Sequence, residues 1–159
     1  MHPVDAAWDP RLASAADADE IARLLHDFNT EFDTPSPGAA VLAPRLRKLL
    51  TADETFAIVA GRPAVAVALV TLRPNVWYAG RVALLDEMYV VPDLRDRGIG
   101  SAVLDVMVAT AAERGTDLIE INVDEPDVDA QRFYERHGFS GMDPGTGQRA
   151  FYHWRERLT

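Results

Sequence analysis

A strand that runs through a glycine pair into a helix leaves few folds open, and residues 84–110 read as that unit. Leu84, Leu85, Met88, Val90 and Val91 supply strand formers. Pro92 has no N–H to donate and ends the ladder. A charged loop, residues 93–97, leads to Gly98 and Gly100. Beyond them Val103, Leu104, Val106, Met107 and Thr110 recur at intervals of three and four, which is helical spacing.

The first N–H groups of a helix lack intrahelical partners and together carry about half a positive charge. Without Cβ atoms at positions 98 and 100, a polyanion comes close to the backbone, and Arg95 and Arg97 add charge beside it. The ligand group implied is a phosphate or pyrophosphate. A plain tight loop would also carry two glycines. A dinucleotide fold wants its glycines directly after the strand and a small third partner; here a loop intervenes and the third position is Val103, although Asp117 and Glu120 stand at a suitable distance for a ribose carboxylate. No Gly-Lys-Ser/Thr follows, so a P-loop is excluded.

A third reading comes from two blocks together. Arg95-x-x-Gly98-x-Gly100, preceded by Glu87-Met88-Tyr89-Val90-Val91-Pro92, resembles the acyl-CoA pyrophosphate loop of the GNAT superfamily of N-acetyltransferases. Downstream, Asp127-Val128-Asp129-Ala130-Gln131-Arg132-Phe133-Tyr134-Glu135-Arg136-His137-Gly138-Phe139 is similar to that family's second signature, a helix ending in Tyr-Glu-x-x-Gly-Phe. The order and interval of the blocks suit the family, and the likeness is good over residues 84–139 and general before them.

Composition bounds the rest. At 159 residues, 48% hydrophobic and 26% charged, the chain is sized for one globular domain with its own core, residues 1–10 reading as a loose lead-in. It has no cysteine, which removes disulfides, thiolate nucleophiles and cysteine metal sites and fits a cytoplasmic location. Neither a signal peptide nor a membrane-length apolar run is legible. A net charge of −9 argues against nucleic acid and mildly favours a cationic substrate such as an amine.

In chain order, residues 11–14 read as a short strand. Asp17 with Glu20 resembles a capping box opening a helix whose apolar face is Ile21, Leu24, Leu25, Phe28 and Phe32. His26 reads as a plain helix-boundary residue. Residues 34–38 break the helix, and a second one spans 41–50. Residues 55–60 and 64–72 form a hairpin around Gly61-Arg62-Pro63, and residues 77–90 bring in the central strand. Gly115 ends the glycine helix. Residues 118–123 alternate as a strand, 130–136 form a helix ending at Gly138, and 149–157 a closing strand.

The resemblance implies an α/β fold: a mixed, mostly antiparallel sheet flanked by helices on both faces, with two parallel central strands splayed at a bulge. It implies acetyl-CoA as co-substrate and no metal. The pantetheine arm would pair with Met88, Tyr89 and Val90, and the pyrophosphate would take N–H groups of Asp96, Arg97, Gly98, Ile99, Gly100 and Ser101, with Arg95 beside them. Asp127 stands where relatives often have a cofactor-contacting asparagine; when ionised it accepts hydrogen bonds but donates none.

An alkylammonium has a pKa of roughly 10, so a base is needed before its nitrogen attacks the thioester. Glu87 matches the family's strand glutamate, acting through water. Asp86 would point to the opposite face of a regular strand, a bulge would exchange the two, and the choice stays open. Asn122 occupies the position of the alternative base on the later strand. Tyr134 matches the tyrosine that protonates the departing thiolate. The reaction implied is direct transfer to a primary amine, on a small molecule or a protein, in a ternary complex. A non-catalytic acyl-CoA-binding or sensing domain is the alternative, and an NAD-dependent oxidoreductase a distant third. Residues 32–38, 75–81 and the last strand would read the acceptor. The roles of Tyr152 and His153 stay open, as does a homodimer of the kind relatives form through C-terminal strands.

Overall fold

The computed structural model describes residues 5–153 and 155–156. They fall into two compact units, Met1–Ile121 and Asn122–Thr159.

In the first unit five strands lie side by side in chain order: β1 (Pro10–Leu12), β2 (Thr55–Ala60), β3 (Ala66–Arg73), β4 (Arg81–Val90) and β5 (Thr116–Ile121). The first three pairings are antiparallel and β4–β5 is parallel. Helices α1 (Ala18–Glu31) and α2 (Ala39–Leu50) precede β2, and α3 (Ile99–Glu113) joins β4 to β5, the long crossover that a parallel pair requires. β2 is buried at every position and β3 at nearly every one. That is why TFAIVA and AVALVTLR read as apolar runs without clean alternation.

The two faces separate by parity. Ala57, Val59, Val67, Leu69 and Tyr89 pack with Ala18, Ile21, Ala22 and Leu24 of α1 and Ala43 and Leu46 of α2. Residues of the other parity, such as Phe56, Ile58 and Val70, turn to the opposite face. There α3 buries Ile99, Val103, Leu104, Met107 and Ala111, and Arg114 at its end lies 4.9 Å over the Phe56 ring. Helices therefore flank both faces of a mixed, mostly antiparallel sheet, as the resemblance implied.

Two irregularities set β4 apart from a regular strand. The β3–β4 register steps from Leu69↔Glu87 to Val70↔Leu85, so Asp86 is an extra residue, a β-bulge. On the other side, pairing with β5 runs from Arg81↔Thr116 to Leu85↔Ile121, where β5 ends while β4 continues to Val90. The two parallel strands thus part company after Leu85.

β4 begins under tight constraint. Gly80 donates to Asp117 Oδ2 at 2.6 Å, and a Cβ on Gly80 would collide with the Gly115 carbonyl and lie 2.5 Å from that same oxygen. Because the first obstacle is backbone, Gly80→Ala is expected to cost about 1–3 kcal/mol, read as a lowered denaturation midpoint with an unchanged m-value.

In the second unit α4 (Val128–Arg136) is capped by Asp127, whose Oδ1 accepts from Ala130 N at 3.0 Å. It ends in Gly138 at φ +88°. Asp143 closes a following turn by accepting from Gly145 and Thr146 N–H groups, which hold its carboxyl below the usual range.

Several expectations change in detail. The capping box is Ser14 with Asp17, one turn earlier than Asp17 with Glu20: Asp17 is taken by Arg11 in a two-bond pair at 2.7 and 3.0 Å and by the Ser14 N–H, while Glu20 accepts from Ala64 N. β1 and β5 begin earlier than read, and α4 starts at Val128. Of the expected strand over 149–157, the described residues form only a bridge between Met142 and Arg149, closed by Ala150 N donating to Gly141 O at 2.8 Å, and residues 151–153 join no strand; positions 154 and 157 lie outside the described residues. The lead-in is partly built: Ala6–Trp8 form a 3₁₀ turn, and the Trp8 ring lies close to Gly61.

Candidate active site

The interval between the parting strands is lined by the end of β4. Val91 N donates to Val65 O at 3.0 Å. By the alternation of an antiparallel ladder, Tyr89 and Glu87 then bond back toward β3, and Met88 and Val90 aim their amide groups away from β3, into the side that β5 has left. Of the three residues assigned to the pantetheine arm, Met88 and Val90 therefore have backbone facing that interval. Tyr89 faces it with neither amide group; its side chain goes to the α1 face, where it meets Phe28 at 5.1 Å.

Past Pro92, a 3₁₀ turn (Pro92–Leu94) carries the chain to Arg95, Asp96, Arg97 and Gly98. Asp96 (φ +60°) and Gly98 (φ +81°) both take the left-handed conformation, which suits glycine and, less readily, aspartate. This tight path delivers the chain into α3 with Gly98 as the cap residue, and no side chain caps the helix. Ile99 is buried and anchors the first turn, whereas residues 95–98 are exposed. An exposed helix N-terminus with no capping side chain favours an anion. Ser101, the third residue of α3, completes the segment assigned to the pyrophosphate.

The bulge resolves the relation between the two carboxylates. Leu69↔Glu87 places Glu87 on the α1–α2 face. Asp86 accepts a short hydrogen bond from Thr71 Oγ1, and Thr71 shares the parity of Leu69. Asp86 thus does not point to the opposite face, as it would in a regular strand: the extra residue brings both carboxylates to one side. Burial pushes the Glu87 carboxyl above its ordinary value, and the charge of Asp86 pushes it further. Asp86 is also raised by burial, with the Thr71 hydrogen bond opposing.

One participant had no local signal. Glu31, the last residue of α1, accepts from both terminal nitrogens of Arg95 at 2.8 Å and from the Tyr89 hydroxyl at 3.1 Å. Arg95 also donates through Nε to Val90 O at 3.0 Å. The pair holds Glu31 below the usual carboxylate range, and the Tyr89 hydroxyl, desolvated and facing Glu31, is pushed up to about 12.

Residues 18–139 match the family model described as the Acetyltransferase (GNAT) family. The chain belongs to that family. The GNAT chain is 44% identical to a presumed acetyltransferase from Arthrobacter sp. FB24 whose crystal structure superposes with a TM-score of 0.88, covering 98% of this chain and 100% of that one. It is also 40% identical over 58 residues to an uncharacterised N-acetyltransferase of Methanocaldococcus jannaschii, 36% of this chain and 26% of the relative, so it spans about a quarter of the length of that curated protein. An aminoglycoside acetyltransferase from an uncultured soil metagenomic sample, solved with sisomicin, shares the fold at 17% identity and a TM-score of 0.78, over 99% of this chain and 100% of that one.

In the second unit of the GNAT chain, Tyr134 sits on α4 with its ring edge-on to Phe133 (5.2 Å) and Phe139 (5.8 Å). Asp127 serves α4 as its cap. Asn122 is exposed, as are Tyr152 and His153. The loop after α1 is tied down by His26 Nδ1 to Ser36 Oγ at 2.8 Å and by Asn29 Nδ2 donating to Pro35 O at 2.9 Å, so His26 does structural work beyond a helix boundary. Among the described residues, no His, Asp and Glu group is arranged to hold a metal ion, and no helix is long and apolar enough to cross a membrane.

Proposed function

We propose that this chain moves an acetyl group from acetyl-CoA to a primary amine by direct attack. The observation that carries the reading is the parting of β4 from β5 after Leu85, followed by the uncapped N-terminus of α3. The first supplies backbone donors and acceptors in an open interval for the amide-bearing pantetheine arm, chiefly from Met88 and Val90. The second supplies N–H groups, from Asp96 to Ser101, for the pyrophosphate, with Arg97 adding positive charge and Arg95 standing behind the loop. Backbone then holds the invariant donor, and side chains remain for the acceptor.

Glu87 is proposed as the base, through a water molecule. Its raised pKa suits removal of a proton from an alkylammonium nearer neutrality than an ordinary carboxylate would allow. The neutral nitrogen attacks the thioester carbon, and an N–H of the β4 end stabilises the oxyanion. Collapse breaks the C–S bond, the thiolate takes a proton from Tyr134, and the amide product keeps the acetyl group. Asp127 contributes by fixing the start of α4. No group on the chain carries the acetyl moiety between steps.

A thermal-shift comparison with acetyl-CoA, CoA and NAD at equal concentrations tests the reading. A ligand at a hundred times its Kd adds about 2.7 kcal/mol, which for a chain of this size raises the midpoint by roughly 5–10 °C. Shifts with both CoA species and none with NAD are expected. Absence of any CoA shift would sink the cofactor assignment, and an NAD shift would transfer it.

A further inference from the structure

An arginine beside a pyrophosphate loop invites the assumption that it grips phosphate. The geometry of Arg95 points elsewhere. Both terminal nitrogens lie 2.8 Å from the two oxygens of Glu31, Nε is spent on Val90 O at 3.0 Å, and Cζ sits 5.5 Å from the centre of the Tyr89 ring. A two-bond carboxylate pair neutralises the fork and fixes its plane. The same Glu31 accepts from the Tyr89 hydroxyl, and Tyr89 packs on Phe28 of α1. One carboxylate at the end of α1 thereby holds a strand side chain and the residue that opens the glycine loop. Through Arg95 Nε it also sets the last carbonyl that β4 turns toward the interval.

We propose that Glu31 and Arg95 form a strut that presets the end of β4 and the glycine loop for the cofactor, with Glu31 a positioning residue that touches no phosphate. The proposal rests on the reading that this loop receives the CoA pyrophosphate. Its electrostatics separate it from the alternative. Were Arg95 a phosphate ligand, Glu31 would be a competing anion, and removing its charge would tighten CoA binding. As a strut, removing that charge loosens the loop and weakens binding.

Calorimetric titration of CoA into the wild type, Glu31→Gln, Arg95→Lys and the double variant distinguishes these. Arg95→Lys keeps the charge and loses the fork. Each single variant is expected to weaken CoA by about five-fold, the scale of a good exposed ion pair. The double variant is expected to be no weaker than either single one, because both break the same strut. The turnover number of Glu31→Gln at saturating substrates should stay within about two-fold, since Glu31 is assigned to no proton transfer. Tyrosinate absorbance on the ligand-free protein, with Tyr89→Phe to isolate the signal, reads the contact directly. Glu31, Arg95 and Asp27 are the charges acting on Tyr89, and Glu31→Gln should lower its midpoint. Tighter or unchanged CoA binding in Glu31→Gln, additive losses in the double variant, an unmoved Tyr89 midpoint, or a fall in turnover alone would each overturn the proposal. Failure of the wild type to bind CoA would instead remove the cofactor reading, and the strut's purpose with it.

Discussion

Glu87→Gln is expected to lower kcat/KM by about 10²–10⁴-fold, the usual worth of a positioned general base. The same change should remove the acidic limb of the pH–rate profile. With Glu87 as the proposed base, the wild-type limb is expected to rise as Glu87 loses its proton, at a pH shifted upward because burial and Asp86 both favour the neutral form. Glutamine keeps the size of the side chain and cannot titrate. The stability consequence has the opposite sign. A carboxyl whose folded pKa is raised binds protons more tightly folded than unfolded, so its contribution falls as pH rises from the unfolded value through the folded one. Once both are ionised, Glu87 and Asp86 place like charges on one face, and Glu87→Gln relieves that. Its thermal midpoint should equal or exceed the wild type at pH 7, with the difference closing in acid. A variant that loses activity together with stability at pH 7 would mean that Glu87 is structural. Kinetics unchanged in Glu87→Gln and abolished in Asp86→Asn would move the base by one residue, which the shared face permits.

Tyr134→Phe is expected to lower kcat by about 10²–10³-fold, within the range for a general acid, and to leave the Kd for acetyl-CoA nearly unchanged. The ring contacts of Tyr134 with Phe133 and Phe139 are edge-on packing, which phenylalanine retains. What is lost is one O–H. The informative comparison varies the leaving group: an acyl donor whose thiol is more acidic needs less protonation and should suffer less from the substitution. Equal losses with both donors would argue that the hydroxyl acts elsewhere.

The strand, the glycine turn and the α3 face were legible because their signals are local. β-branched residues stop at Pro92, Gly98 meets a left-handed backbone requirement, and the buried positions of α3 repeat every three or four residues. The capping box of the 3₁₀ turn Ala15–Asp17 that leads into α1 was not legible, for a related reason. Ser14, Asp17 and Glu20 offer two overlapping boxes to sequence inspection, and Arg11 decides between them by drawing the Asp17 carboxylate into a two-bond pair. The closing strand differs from its expectation because alternation alone makes no ladder, and the described part of that segment offers a single bridge at Arg149.

By itself, then, the amino-acid sequence determined most of the segments that become helix or strand, where the helix after the glycine pair begins, and membership of the GNAT family, since two blocks at a fixed interval carry that. Only the tertiary structure decided three things. Asp86 and Glu87 share a face because β3 and β4 lose register at Leu69 and Val70. β4 runs on beyond Leu85 without β5 as a partner because β5 stops at Ile121. Arg95 turns to Glu31, a residue 64 positions away, because packing of α1 against the sheet brings that carboxylate to the loop. Each depends on which strand or helix lies alongside another, and a side chain's neighbours along the chain carry no record of that.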